Sequence, residues 1–476
     1  MAAEDKLTTS LQESVLTLIC CDDRRGAIAA NQIDVELFEP PYDDIAKRAI
    51  SYRKKFKKAP GIAHLDDLFD HILGDPKSKR HHVYKQVLHG ITEQSQNLNA
   101  EYVLSRVQDF QRRQHLKVAV LDAAEAYKRG GDDLVESVEG ILHTALKFRQ
   151  ETTDAGVFLG DRKQVMKVLT NPRRTSYKIG IKELDRLGLG PTQGEVLAFM
   201  APKGGGKTWF CIDTAVRLLQ QQAKVVHISL EMSEERLVPR YMQRMFAISK
   251  RDESFAVSNL DVDDHGRVVG LRQRRARAQL ALSDRNIHDK IGKKLDRFGS
   301  RLSKLVVKEF PTGSVSIDQL ESYLDGLELT HGFTPDALIV DYPKLMKLPR
   351  NQEYRLAVGG NFESLRGLLI RRNLAGIFPI QSHREAENAK LITGQNIGED
   401  YSMGQTADIL ITYNQTRAEH AHGLARLYVD KARNEEDKFT ILIVQNYRTG
   451  QFCRDSAWVP GNYWQTLKQF AGKGEE

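Results

Sequence analysis

The octet Ala201-Pro202-Lys203-Gly204-Gly205-Gly206-Lys207-Thr208 sets three glycines, a lysine and a hydroxyl in the order that a polyphosphate cradle needs. Glycines let backbone N–H groups curl around phosphate oxygens, and a helix starting at once behind them adds its positive end. Lys203, Gly204, Gly205 and Gly206 would line the cradle, Lys207 would reach the β- and γ-phosphates, and Thr208 would ligate magnesium. The expected ligands are therefore ATP, or another nucleoside triphosphate, and Mg²⁺. Ala201 stands where such loops usually begin with glycine, which is tolerable because that position ends a strand and touches no phosphate. The bland alternative is a glycine-rich turn with no ligand.

Two acids fit beside this loop. The apolar run Leu338-Ile339-Val340 delivers Asp341 at its C-terminal edge, where open α/β sheets bind ligands, so Asp341 is expected on the magnesium side. Glu231 closes the run Val225 to Leu230 in the same way. Its position leaves two readings open: a general base for the attacking water, or a plain neighbour of a helix N-cap.

These residues need a sheet to hold them. Glu195 to Ala201, Val225 to Leu230, Ala337 to Asp341 and Leu374 to Gln381 are apolar, β-rich and separated by helical stretches, which implies a mainly parallel sheet covered by helices. The later runs Ile409 to Tyr413, Ala425 to Val429 and Phe439 to Val444 follow one another closely and should end the sheet antiparallel. Before residue 150 strand-like alternation is nearly absent. There the pattern is of successive amphipathic helices, for example Tyr102, Val103, Val107 and Phe110, then Val118, Val120, Leu121 and Ala124, closed by a helix from Leu134 to Phe148. The expected division is a helical domain over 1–150, a linker with one short helix over 151–178, and an ATPase domain over 179–476. The basic run Arg53, Lys54, Lys55, Lys57, Lys58 suits a solvated face better than a phosphate site, and His81 and His82 suit the surface.

Composition sets limits. A length of 476 residues favours two domains, and 41% hydrophobic with 28% charged residues is ordinary for a globular chain. The net charge of +7 tilts only mildly toward a polyanionic partner. Four cysteines, Cys20, Cys21, Cys211 and Cys453, form no metal-ligand spacing, so neither a disulfide framework nor a zinc site is indicated. The start lacks a basic leader, and Val15 to Cys21 is too short to span a membrane, which points to a cytoplasmic protein with no membrane partner.

The C-terminal half resembles the corresponding domain of DnaB-type replicative helicases, particularly the divergent branch of large bacteriophages. The matching blocks are Gly180-Ile181-Lys182-Glu183-Leu184-Asp185, the phosphate loop, Ser229-Leu230-Glu231-Met232-Ser233, Ile339-Val340-Asp341-Tyr342, Gln381-Ser382 and Lys431-Ala432-Arg433, together spanning about 179 to 450. The resemblance implies a RecA-like P-loop ATPase domain preceded by an all-α N-terminal domain. It implies a hexameric ring that hydrolyses ATP at subunit boundaries, translocates 5′ to 3′ on single-stranded DNA and separates strands by exclusion. It raises Glu231 to catalytic base, gives Lys431 and Arg433 the arginine-finger role, and makes Gln381 the sensor of the γ-phosphate. Plain surface charge, and a buried satisfied glutamine, are the respective alternatives.

In this family DNA contacts come from loops after the Asp341 and Gln381 strands, here Lys347 to Gly360 and His383 to Met403. These offer Lys347, Arg350, Arg355, Arg384 and Lys390, with Glu399 where many relatives carry Arg-Glu-Ser-Gly against Gly398-Glu399-Asp400-Tyr401 here. Forked DNA, a primase and a helicase loader are the implied partners. The charged stretch from His265 to Lys308 departs from the family and is expected as solvated helices, with DNA or a partner as the second reading. Two other functions compete: a RecA-type recombinase or recombination mediator, and a partner ATPase with little turnover. The N-terminal helices and the Lys431-x-Arg433 spacing favour the helicase.

Overall fold

The structure, a computed structural model, describes residues 7–74, 78–95, 97–130, 134, 137–138, 140–142, 156–170, 175–349, 353–383, 391–397 and 402–472. The chain forms two compact units, Met1–Val165 and Met166–Glu476. In the first, helices Thr9–Cys21, Arg25–Gln32, Tyr42–Phe56, Lys79–Gln94 and Ala100–Arg129 enclose a core that includes Val15, Leu16, Ile19, Ile45, Phe69 and Ile91. The helix expected from Leu134 to Phe148 falls largely outside the described residues.

The basic run starting at Arg53 does not stay together on a solvated face. Lys54, Lys55, Lys57 and Lys58 are exposed, but Arg53 is buried. Its guanidinium donates to the carbonyls of Ile19 at 2.6 Å, Asp23 at 3.1 Å and Leu18 at 3.4 Å, and to that of Asp22. Helix Thr9–Cys21 ends there, and the buried cation adds a donor to carbonyls at its negative end, of which that of Leu18 also takes the Asp22 amide at 3.0 Å. Along Ala100–Arg129 the inward stripe is Val103, Val107, Ala119 and Ala123, while Val118, Val120 and Leu121 face outward. Of the expected face, Val103, Val107 and Phe110 turn inward, while Tyr102 and the residues of the second half do not.

The second unit is built on one sheet of nine strands. With β1 at Val196–Ala201, β2 at Val225–Ser229, β3 at Ser254–Val262, β4 at Val268–Arg277, β5 at Leu305–Glu309, β6 at Ala337–Asp341, β7 at Ala375–Gln381, β8 at Ile409–Asn414, β9 at Leu424–Ala432, β10 at Phe439–Asn446 and β11 at Gln451–Trp458, the order is β11-β10-β9-β8-β1-β7-β6-β2-β5. Every pair from β8 to β5 is parallel, and β9, β10 and β11 extend the sheet antiparallel, as the runs of apolar residues imply. All of β1, β2 and β6 are buried. Helix Lys207–Gln220 packs Phe210, Ile212 and Leu219 on one face of the sheet, and helices Ile317–His331 and Tyr354–Arg372 pack Leu324, Phe362 and Leu365 on the other. Burial on both faces explains why these strands are apolar throughout instead of alternating.

The stretch from His265 to Lys308 is not a set of helices. Its first part is β4, paired antiparallel with β3 as a separate ribbon, and only Ile287–Leu302 is helical. Arginines on both faces of β4 conceal its period of two: Arg272, Arg274, Arg275 and Arg277 are all exposed. Likewise, the segment Lys347 to Gly360, expected as a loop, is already helical from Tyr354.

Candidate nucleotide site

The candidate site sits where the parallel strands end. In the register, Ala201 of β1 lies beside Gln381 of β7, and Asp341 of β6 lies beside Ser229 of β2, so the loops after these four strands converge on one edge. Gly204 and Gly206 hold φ of +78° and +80°, a region in which side chains other than glycine are strained. At Gly206 space is limiting as well: a Cβ would stand 2.2 Å from the Tyr447 hydroxyl. Gly206 also starts helix Lys207–Gln220, and no side chain among the described residues caps it. Its first N–H groups are thus left to the loop's concavity.

Lys207 donates to the carbonyls of Pro202 at 3.1 Å and Ala201 at 3.4 Å, folding its ammonium over the loop. Burial lowers its pKa, opposed by the negative charges of Asp341 and Glu231. Asp341 is 1% exposed. Burial lifts its pKa to about 6; the Thr208 hydrogen bond works against that rise, Glu231 adds to it, and Lys207 and Arg240 oppose it. Its Oδ1 atom has no hydrogen-bond partner among the described residues. A buried carboxylate oxygen without a donor, next to a threonine hydroxyl and a phosphate loop, is the donor set a hard divalent cation takes. The residues therefore fit Mg²⁺.

Glu231 is exposed and lies two residues beyond the end of β2. The Leu230 amide donates to the Asp341 carbonyl at 2.9 Å, and the Ser229 hydroxyl bonds both ways with Met232, so the turn carrying Glu231 is fixed against β6. Glu231 acts electrostatically on Asp341, Lys207 and Arg240 alike. Gln381 is half-buried at the end of β7. Four neighbours are not singled out by the sequence. Arg240, from helix Glu234–Phe246, lies over the Trp209 ring at 5.3 Å; Trp209 stacks on Tyr447 with ring centroids 5.8 Å apart; and Gln445 Nε2 donates to the Tyr447 hydroxyl at 2.8 Å. Only the aromatic directly after Thr208 gave any signal, and it is equally suited to a core position.

Lys431 and Arg433 lie at the other end of the sheet. The Asp408 amide donates to the Val196 carbonyl at 2.9 Å, which puts Asp408 at the start of β1. Arg433 pairs with Asp408 at 3.2 Å, and Lys431 donates to the Gln405 carbonyl at 2.6 Å. At ~3.3 Å per residue, a strand the length of β1 separates that edge from the phosphate loop by roughly 17 Å. Neither cation serves the loop of its own chain. Of the residues expected at DNA, Lys347 is half-buried after β6, with its amide bonded to Val315 and its carbonyl to Asn361, and Arg355 is exposed in the first turn of Tyr354–Arg372. Arg350, Arg384, Lys390 and Glu399 lie outside the described residues.

A parallel sheet with a phosphate loop after one strand and a buried acid ending another defines a RecA-like P-loop domain. Comparison with known proteins narrows this. Residues 177–321 match the family model of the DnaB-like helicase C terminal domain. The DnaB-like replicative helicase of Enterobacteria phage T4 is 25% identical over 252 residues, covering 52% of this chain and 47% of that protein. The match thus spans about half the length of that curated relative. In fold, the chain is similar to a DnaB-like replicative helicase solved to describe its interactions with primase, with a TM-score of 0.52 at 14% identity over 93% of this chain and 99% of that one. The likeness to a phage-like, DnaB-type helicase read from the sequence is borne out, as is the fold class. Among the described residues no helix is long and apolar enough to cross a membrane.

Proposed function

We propose that this protein is an ATP-dependent replicative DNA helicase that works as a ring. The observation that carries the reading is the placement of two half-sites at opposite ends of one sheet: Lys207, Thr208, Asp341 and Glu231 at one edge, Lys431 and Arg433 at the other. A head-to-tail assembly brings one subunit's second half to its neighbour's first, and such heterologous contacts close into a ring where the rotation between subunits closes. A hexamer is the expected ring, with single-stranded and forked DNA as substrates and a primase and loader as partners.

In the proposed reaction the loop amides and Lys207 hold the ATP phosphates, and Thr208 with Asp341 holds Mg²⁺. The ion supplies charge neutralisation on the phosphate oxygens. Glu231 accepts the proton of the attacking water, and its exposure leaves it within reach of solvent. Arg433 and Lys431 of the adjoining subunit offset charge on the transferred phosphoryl group, and Gln381 links the nucleotide to the loop that follows β7. Movement is 5′ to 3′ on single-stranded DNA, with Lys347 and Arg355 contributing phosphate contacts together with Arg350, Arg384 and Lys390, and Glu399 through its main-chain amide.

The test is ATP turnover with and without single-stranded DNA, beside unwinding of a forked duplex. DNA-stimulated turnover with unwinding, both abolished by Glu231→Gln while ATP binding persists, is the expected result. Turnover without unwinding of any fork polarity would move the protein to the recombinase or partner-ATPase class.

A further inference from the structure

Between helix Glu234–Phe246 and β5 the chain inserts the β3–β4 ribbon and helix Ile287–Leu302, and the proposed reaction uses no group from either. From 254 to 302 this insert carries eleven lysines and arginines against six aspartates, an excess of five out of the whole chain's +7. The positive charge of the protein is thus concentrated here, and the remainder is close to neutral.

The charge is mounted on fixed elements. Leu260, Val268 and Leu271 of the ribbon pack with Leu442, Val444 and Tyr463, and the Ser258 hydroxyl donates to the His422 carbonyl at 2.5 Å. Some of the basic groups are neutralised: Arg272 by Asp261 at 2.5 Å, Arg277 by Asp252, and Lys290 by Asp284 at 3.6 Å. Arg274 and Arg275 are exposed and make no ion pair among the described residues. Beside Arg274 lies a like charge, Arg454, whose guanidinium is committed to the Ser258 carbonyl at 3.0 Å and Asn259 Oδ1 at 3.1 Å. On the helix, Ile287, Ile291, Phe298 and Leu302 turn inward, with Phe298 against Phe246 at 6.0 Å. Lys290, Lys293, Arg297 and Arg301 are all exposed and recur at i, i+3, i+7 and i+11, which is one row about 16 Å long on the outer face.

We propose that this insert is a second DNA-binding element, gripping the sugar-phosphate backbone through Arg274 and Arg275 on the two faces of the ribbon and Lys293 and Arg297 on the helix. Guanidinium groups suit phosphate because they offer paired donors in a plane. A protein partner would ask for an apolar centre within the contact, and the row on the helix has none. Backbone contacts of this kind hold DNA without reading its sequence.

The test is the salt dependence of binding to labelled oligothymidylate by the full chain without nucleotide, compared for wild type, Arg274→Ala/Arg275→Ala and Lys293→Ala/Arg297→Ala. Each pair should flatten the slope of log K against log salt by about 1.4 and weaken binding roughly tenfold at 0.15 M salt, from about 0.7 counterions released per phosphate contact. DNA-independent ATP turnover and melting temperature should not change. Wild-type slope and affinity in both variants overturn the inference while leaving the helicase reading intact. Loss of binding to polyglutamate with DNA binding retained overturns it too, in favour of an acidic protein. A wild-type chain that binds no DNA sinks both readings.

Discussion

Gly206 is held by two separate constraints, and they can be measured apart. Its φ of +80° costs an alanine about 1–2 kcal/mol, and the methyl group would stand 2.2 Å from the Tyr447 hydroxyl, an overlap worth about 1–3 kcal/mol more. Gly206→Ala should therefore lower the unfolding free energy of the ATPase half by about 2–5 kcal/mol. Tyr447→Phe removes the colliding oxygen, leaving the nearest ring carbon at 3.2 Å, and alone costs about 1 kcal/mol for the lost partner of Gln445. In that background the alanine should cost only the backbone share, about 1–2 kcal/mol. Urea denaturation of the four proteins, followed by tryptophan fluorescence, gives the coupling directly. An equal cost of Gly206→Ala in both backgrounds would refute the packing of Tyr447 against the phosphate loop.

Asp341 makes a pH prediction. Its pKa in the folded chain, about 6, lies above the ordinary 3.8, so the stability tied to its protonated form is complete below 3.8 and lost as pH rises through about 6. Asp341→Asn should stabilise the nucleotide-free protein by about 2–3 kcal/mol at pH 8 and by little at pH 4, while abolishing turnover; melts across that pH range decide it, and equal effects at both ends count against the burial. Magnesium binding should weaken as pH falls below 6, measurable by calorimetry with a non-hydrolysable nucleotide present. Arg53→Ala removes the donor to four main-chain carbonyls and should cost the N-terminal unit about 3 kcal/mol in urea titrations, whereas Lys54→Ala should cost under about 0.5 kcal/mol.

Where local chemistry and tertiary role coincide, the sequence was sufficient to read. The glycines and Lys207 need one another at fixed spacing, and Asp341 ends a strand buried on both faces, so both show in a few residues. Arg53 failed because a helix end thirty residues earlier in the chain decides its environment, not the lysines around it. The ribbon containing Arg272 to Arg277 failed because charge on both faces leaves no alternation to detect. Arg240 and Tyr447 come to the loop from a neighbouring helix and from the turn between β10 and β11, and nothing in their local sequence announces it.

The separation of Arg433 from its own phosphate loop makes sharing between subunits the central claim, and subunit mixing tests it most directly. Lys207→Ala and Arg433→Ala chains, each inactive alone, are combined under conditions where subunits exchange, and ATP turnover with single-stranded DNA is followed against the mixing ratio. A shared site predicts that turnover returns and peaks near equal amounts, where roughly one boundary in four pairs an intact loop with an intact arginine. No recovery at any ratio would mean that Arg433 does not act on its neighbour's nucleotide.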